Sequence, residues 1–229
     1  MKTEELTKEQ KFLLKVLSSF INRKRFVFDE SEICGFKWGD FVKESVYQAV
    51  CFSVLENSKD FRQFIPEETY KKWKGYSIRV LRANANVLKT QNELIDILDG
   101  KYKYIILKGF AAASYYDSPS LRSFGDVDFL VEKDNAEEIK ALLIENEYNC
   151  EGEDNDHHIV FKKSASHIEM HFEIPGIPYG EIGDKIRSFM QAAFSERVLY
   201  KINSDYINCE FYAPSKVLEV LHCAGYFPQ

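Results

Sequence analysis

The chain has 229 residues, enough for one compact domain or for a domain with an added lobe. Hydrophobic residues make up 45% and charged residues 29%, which excludes a disordered chain and supports a real core. A formal charge of -6 and a pI near 5.5 argue against a partner made of long nucleic acid.

The first hundred residues read as mostly helical. Phe12, Leu13, Val16, Leu17 and Phe20 recur at helical spacing, and Phe41, Val42, Val46, Val50 and Val54 suggest a second helix. Residues 67–99 are periodic and free of proline, with Leu81, Val87, Leu88, Leu94, Ile95 and Leu98 as the buried stripe and Gly100 as the stop. The pattern changes at Lys101. Tyr104 to Leu107 is a short apolar strand, followed by Lys108-Gly109 and an Ala-rich helix over 110–116. Residues 124–131 read as a strand and 135–147 as an amphipathic helix. The acidic stretch 151–156 reads as a solvated loop, and 158–162 with 167–174 as a strand pair. Helices are expected over 185–194 and 215–225. The division falls near residue 100, giving a helical lobe over 1–100 and an α/β core over 101–229. The chain ends soon after its last helix begins, the pattern of a chain cut from a longer protein.

No stretch approaches the roughly eighteen apolar residues of a membrane span, and the charged N-terminus lacks an apolar signal core. Five dispersed cysteines without a Cys-x-x-Cys pair fit reduced thiols in a cytoplasmic protein and argue against a zinc knuckle. The basic runs at 22–25 and 71–74 read as solvated helix faces or ends.

The chemistry concentrates between Leu107 and Ile174. Strand alternation puts Asp126 and Asp128 on one face and Val127, Phe129 and Val131 on the other. Adjacent carboxylates on a rigid strand repel, and a divalent cation relieves that repulsion. Oxygen ligands of this kind suit magnesium or manganese. On the second strand His167, Glu169, His171 and Glu173 share a face, so Glu169 completes a three-carboxylate site if the two strands are neighbours. Lys108 is a candidate phosphate contact as a point charge, and Gly109 suits a strand-to-helix turn that lets backbone approach phosphate. Arg122 and Ser123 are further candidate phosphate contacts. A salt bridge from Arg122 to Asp117 is an equal alternative. Tyr115 and Tyr116 are expected to pack in the core. His157 and His158 read as the solvated start of a strand in preference to residues approaching the site, and His171 as a partner that orients a metal ligand, as a metal neighbour, or as a lone surface histidine.

Lys-Gly, a downstream Tyr, Leu-Arg, Asp-x-Asp-x-Leu-Val and a later Glu-x-His strand together resemble the uncharacterised nucleotidyltransferase family of the DNA polymerase β-like superfamily. The resemblance covers residues 101–174 well and the helical lobe loosely. It implies an α+β fold: a small mixed sheet flanked by helices, preceded by a helical N-terminal lobe. It also implies magnesium dependence and transfer of a nucleoside monophosphate from a nucleoside triphosphate, ATP by superfamily habit, to an acceptor. Small molecule, protein side chain and RNA end are all open as that acceptor. Asp126 and Asp128 match the paired metal carboxylates, and Glu169 matches the third acid, which assists the metal and activates the nucleophile. Lys108-Gly109 stands where most of the superfamily has Gly-Ser, so the hydroxyl contact to triphosphate is absent. Two rivals remain: a degenerate protein that binds nucleotide or a partner without turnover, and a metal-dependent hydrolase using Asp126, Asp128, His157, His158, Glu169 and His171.

Overall fold

The computed structural model describes residues 5–116, 118–154, 157–173, 177–204 and 207–215. The chain divides into two compact units, Met1–Arg82 with Leu121–Ser123, and Ala83–Ser120 with Phe124–Gln229. Compactness thus divides the chain inside a helix, earlier than the change of sequence pattern near residue 100. The reason lies in Val87, Leu94, Ile97 and Leu98, which bury in the core of the second unit.

The first unit is helical. Helix α1 (Lys8–Ile21) starts from a capping box in which Thr7 and Gln10 satisfy each other's backbone N–H groups. The single helix expected over 41–54 is instead two, α2 (Trp38–Tyr47) and α3 (Cys51–Glu56). The break falls at Ala49, whose φ of 56° cannot continue a right-handed helix. Helix α4 (Glu67–Leu98) follows the expected span, and Gly100 beyond it takes a left-handed φ of 71°. The core is aromatic. Phe12 meets the rings of Phe26, Phe36, Phe41 and Phe61 edge-on at 5.2–5.8 Å. The fully buried Trp73 donates its indole N–H to the Cys51 carbonyl at 3.1 Å.

The second unit holds a mixed five-stranded sheet, and the chain is therefore α+β. In chain order its elements are β1 (Tyr104–Ile106), α5 (Phe110–Ala113), β2 (Val127–Val131), α6 (Ala136–Glu145), β3 (Asn149–Asp154), β4 (His158–Lys163), β5 (Ser166–His171), α7 (Glu181–Ser195), β6 (Val198–Asn203) and β7 (Asn208–Ala213). The strand order is β1-β2-β5-β4-β3, with β2 and β5 parallel and the other neighbours antiparallel. One face buries Val127, Phe129, Val131, Ile159, Phe161, Ile168 and Met170 against α4 and α6. The other face carries a smaller cluster of Ile105, Leu107, Leu130 and Phe194.

Three expectations change here. The acidic stretch 151–156 is not a solvated loop through to its end, because residues up to Asp154 form edge strand β3 against β4. Main-chain pairing there overrides the weak strand propensity of Asp and Glu. Tyr115 and Tyr116 are exposed rather than core, since α5 ends at Ala113 and the chain turns outward. The β6–β7 hairpin occupies a stretch for which the sequence patterns predict no strand. The helix expected over 215–225 lies, beyond Ser215, outside the described residues. No described helix is long and apolar enough to cross a membrane.

Candidate functional site

Two strands place the central side chains. On β2 the alternating Val127 and Phe129 are pulled into the main core, so Asp128 between them must face the other side of the sheet. On β5 the same pull on Ile168 and Met170 turns Glu169 and His171 to that side. The parallel register makes Asp128 and Glu169 direct Cα partners. His171 and His158 are partners across β4 and β5, and their rings stack with centroids 5.4 Å apart.

The result is a close group. His171 Nε2 lies 3.1 Å from Asp128 Oδ1 and 3.5 Å from Glu169 Oε2. One ligand atom from each of Asp128, Glu169 and His171 can be chosen so that all lie within 4.8 Å of one another. Asp128 and His171 are each only 3% exposed, whereas Glu169 is half-buried. Lys108 completes the electrostatics. Leu107 N–H donates to the Asp128 carbonyl at 3.0 Å, which carries the chain out of β1 beside β2. Lys108 Nζ then donates to Asp128 Oδ1 at 2.9 Å. Burial by itself pushes the Asp128 carboxyl up, but hydrogen bonds from His171 and Lys108, with their charges, outweigh it and hold the group below its ordinary value. Asp128 is therefore a carboxylate at neutral pH.

The remaining candidates are placed as follows. Asp126 is half-buried one residue before β2 and lies outside the close group of Asp128, Glu169 and His171. Gly109 has φ 60° and ψ -111°, a conformation that a side chain resists. A Cβ there would stand 3.8 Å from the Asp126 carbonyl oxygen, so the turn after β1 runs close to the backbone of the Asp126 loop. Helix α5 behind Gly109 is only four residues long, too short for a substantial dipole. Arg122 and Ser123 pack with the first unit. There Ser123 Oγ donates to the Ala49 carbonyl at 2.8 Å, and Arg122 donates to the Ser123 carbonyl at 3.3 Å. Asp117, the alternative partner for Arg122, lies outside the described residues. His157 acts through its backbone: its carbonyl accepts from the N–H groups of Phe172 and Glu173.

One positioning residue was missed from sequence. Asn84, buried on α4, accepts from the Phe124 N–H at 3.0 Å and donates to the Ser120 carbonyl at 3.3 Å. It fastens both Ser120 and Phe124, the latter leading into Asp126. An amide at an inward position of the helical stripe, which also buries Ser77, Thr90 and Gln91, was the available signal.

A buried carboxylate, a half-buried carboxylate and an imidazole within reach of one another fit the chemistry of a divalent cation. The comparisons with known proteins agree at the level of family. A family model described as uncharacterised nucleotidyltransferase matches residues 35–224. No curated protein matches the chain.

Proposed function

The chain belongs to the uncharacterised nucleotidyltransferase family, and from that premise we propose that it transfers a nucleoside monophosphate from a nucleoside triphosphate to an acceptor oxygen. The reading takes ATP as the donor and residues 101–229 as a polymerase β-like core, with residues 1–100 as a helical lobe. Asp126, Asp128 and Glu169 hold magnesium or manganese. The observation that carries the reading is the parallel register of Asp128 with Glu169, which sets two carboxylates from distant parts of the chain side by side on one sheet face.

Bound there, a divalent cation neutralises phosphate charge and stabilises the displaced pyrophosphate. The chain's own groups do the rest. Lys108, paired with Asp128 at 2.9 Å, would meet the triphosphate as a point charge. Gly109 brings backbone close to the phosphates. Glu169, more accessible than Asp128, takes the proton from the acceptor hydroxyl. The acceptor oxygen then bonds to the α-phosphorus, and the bond from that phosphorus to the bridging oxygen breaks. Pyrophosphate leaves with the bonding pair. Lys108, Gly109, Asp126, Asp128 and Glu169 all belong to the second unit. The four described cysteines are free, which accords with a cytoplasmic setting.

Calorimetric titration of ATP, then of the other triphosphates, tests the reading with and without magnesium. Binding that requires the metal and is lost in an Asp126→Asn/Asp128→Asn double variant is the expected outcome. A folded protein that binds no triphosphate would overturn it.

A further inference from the structure

We propose that His171 is itself a metal ligand, and that Asp128, Glu169 and His171 form a mixed oxygen–nitrogen site for a first-row transition ion in preference to magnesium. The inference rests on the reading above, in that a cation occupies this cluster. It changes what the cation is and which residues hold it.

Three observations carry it. First, His171 Nε2 sits 3.1 Å from Asp128 Oδ1 and 3.5 Å from Glu169 Oε2. Ligands about 2.1 Å from one ion stand about 3.0 Å apart at a right angle and about 3.4 Å apart at a tetrahedral angle. The first spacing lies within that range and the second just beyond it. Second, one nitrogen carries at most one proton, so His171 Nε2 can serve only one of the two carboxylates as a donor. Among the described residues no hydrogen bond reaches the Glu169 carboxylate. A cation between the three groups satisfies all of them together. Third, Asp128 and His171 are both almost fully buried. A neutral imidazole supplies a lone pair there without adding a further buried anion to Asp128, which a third carboxylate would do.

The chemical consequence follows from ligand type. Magnesium holds oxygen ligands and keeps its waters, whereas imidazole suits zinc and the later first-row ions; manganese takes oxygen sites too, so as a probe it reports His171 through a directly bound nitrogen. To bind an ion, Nε2 must be free of its proton, which then resides on Nδ1.

The test uses the full chain with Mn2+ as the probe and no nucleotide. Electron spin-echo envelope modulation reads a directly bound nitrogen. The expected spectrum shows 14N modulation that changes when histidine is labelled with 15N. It persists in a His157→Ala/His158→Ala variant and disappears in His171→Gln. Calorimetry is expected to show Mn2+ binding more tightly than Mg2+, with that preference collapsing in His171→Gln. If that variant does not fold, the labelled wild-type and the His157/His158 variant decide the matter. Bound Mn2+ without histidine-nitrogen modulation would overturn the inference and leave the transferase reading intact, with His171 only a hydrogen-bond partner of Asp128. Absence of Mn2+ binding alongside magnesium-dependent triphosphate binding would overturn it equally. Absence of both would remove the transferase reading as well.

Discussion

Asp128 carries a heavy electrostatic load for one residue. It is 3% exposed and charged, and two donors converge on a single oxygen, Oδ1. Removing a partner from such a carboxylate costs more than the pair contributes, because the charge left behind is buried and under-solvated. Lys108 is 39% exposed, so its own worth is screened. Lys108→Met is therefore expected to lower stability by about 1–2 kcal/mol at neutral pH, read by urea unfolding. Asp128→Asn in the same chain should recover part of that loss, a coupling that a double-mutant cycle measures. The pH dependence has a definite sign. The native Asp128 carboxyl lies below its ordinary value, so its contribution is full above the unfolded value of about 3.9 and is lost as pH falls through the native one. Asp128→Asn should flatten that acid limb. An unchanged limb would mean that Asp128 is not held as described. The sequence placed Asp128 on a strand face by alternation, but it could not show that Lys108 and His171 share one of its oxygens.

At the scale of elements, α4 and α7 show how the same kind of substitution takes opposite signs. Gly75 lies within α4, and a Cβ there meets nothing within 4 Å, so Gly75→Ala is expected to stabilise by about 1 kcal/mol through helix propensity. Gly183 lies within α7, where a Cβ would overlap the Pro178 carbonyl oxygen, a backbone atom that cannot swing aside. Gly183→Ala should lower the melting temperature despite the same gain in propensity. If both variants rise together, the approach of Pro178 to α7 is wrong. Asn84 links α4 to the loop that leads into β2. Asn84→Ala leaves the Phe124 N–H and Ser120 carbonyl without this partner and is expected to cost about 1–3 kcal/mol. Hydrogen exchange should speed up at Phe124 while the interior of β5 stays protected. Helix α4, β2 and the β4–β5 pair were legible because their periodicity is long or flanked by clear breakers. The α2–α3 break was not, since Ala49 is not a residue that announces a left-handed φ. Strand β3 was hidden because its acidic composition argues for solvent, and only pairing with β4 makes it a strand.

At the scale of the whole molecule, the second unit buries several groups that ionise in alkali. Burial pushes Tyr104 and Tyr148 up to about 12, and Cys209 up to about 12 as well. Each is raised above its unfolded value, about 10 for tyrosine and about 8.5 for cysteine. The stability they contribute is full below those unfolded values and is lost as pH rises through the native ones. Urea unfolding from pH 8 to 12 should therefore show a steep decline beginning near pH 9. Cys209→Ala should delay its onset. Tyr148→Phe should shrink the later part, and that hydroxyl has no hydrogen-bond partner among the described residues. A decline unaffected by both variants would place the alkaline sensitivity elsewhere. On its own, the sequence determined the strand faces of Asp128 and Glu169 and the family resemblance, because alternation and motif spacing are local properties of a chain. Only the tertiary structure decided that β2 and β5 are parallel neighbours, that Asp128 and Glu169 are partners, and that His171 joins them. That choice depends on which apolar faces close the core together across forty residues of intervening chain, and no local pattern records it.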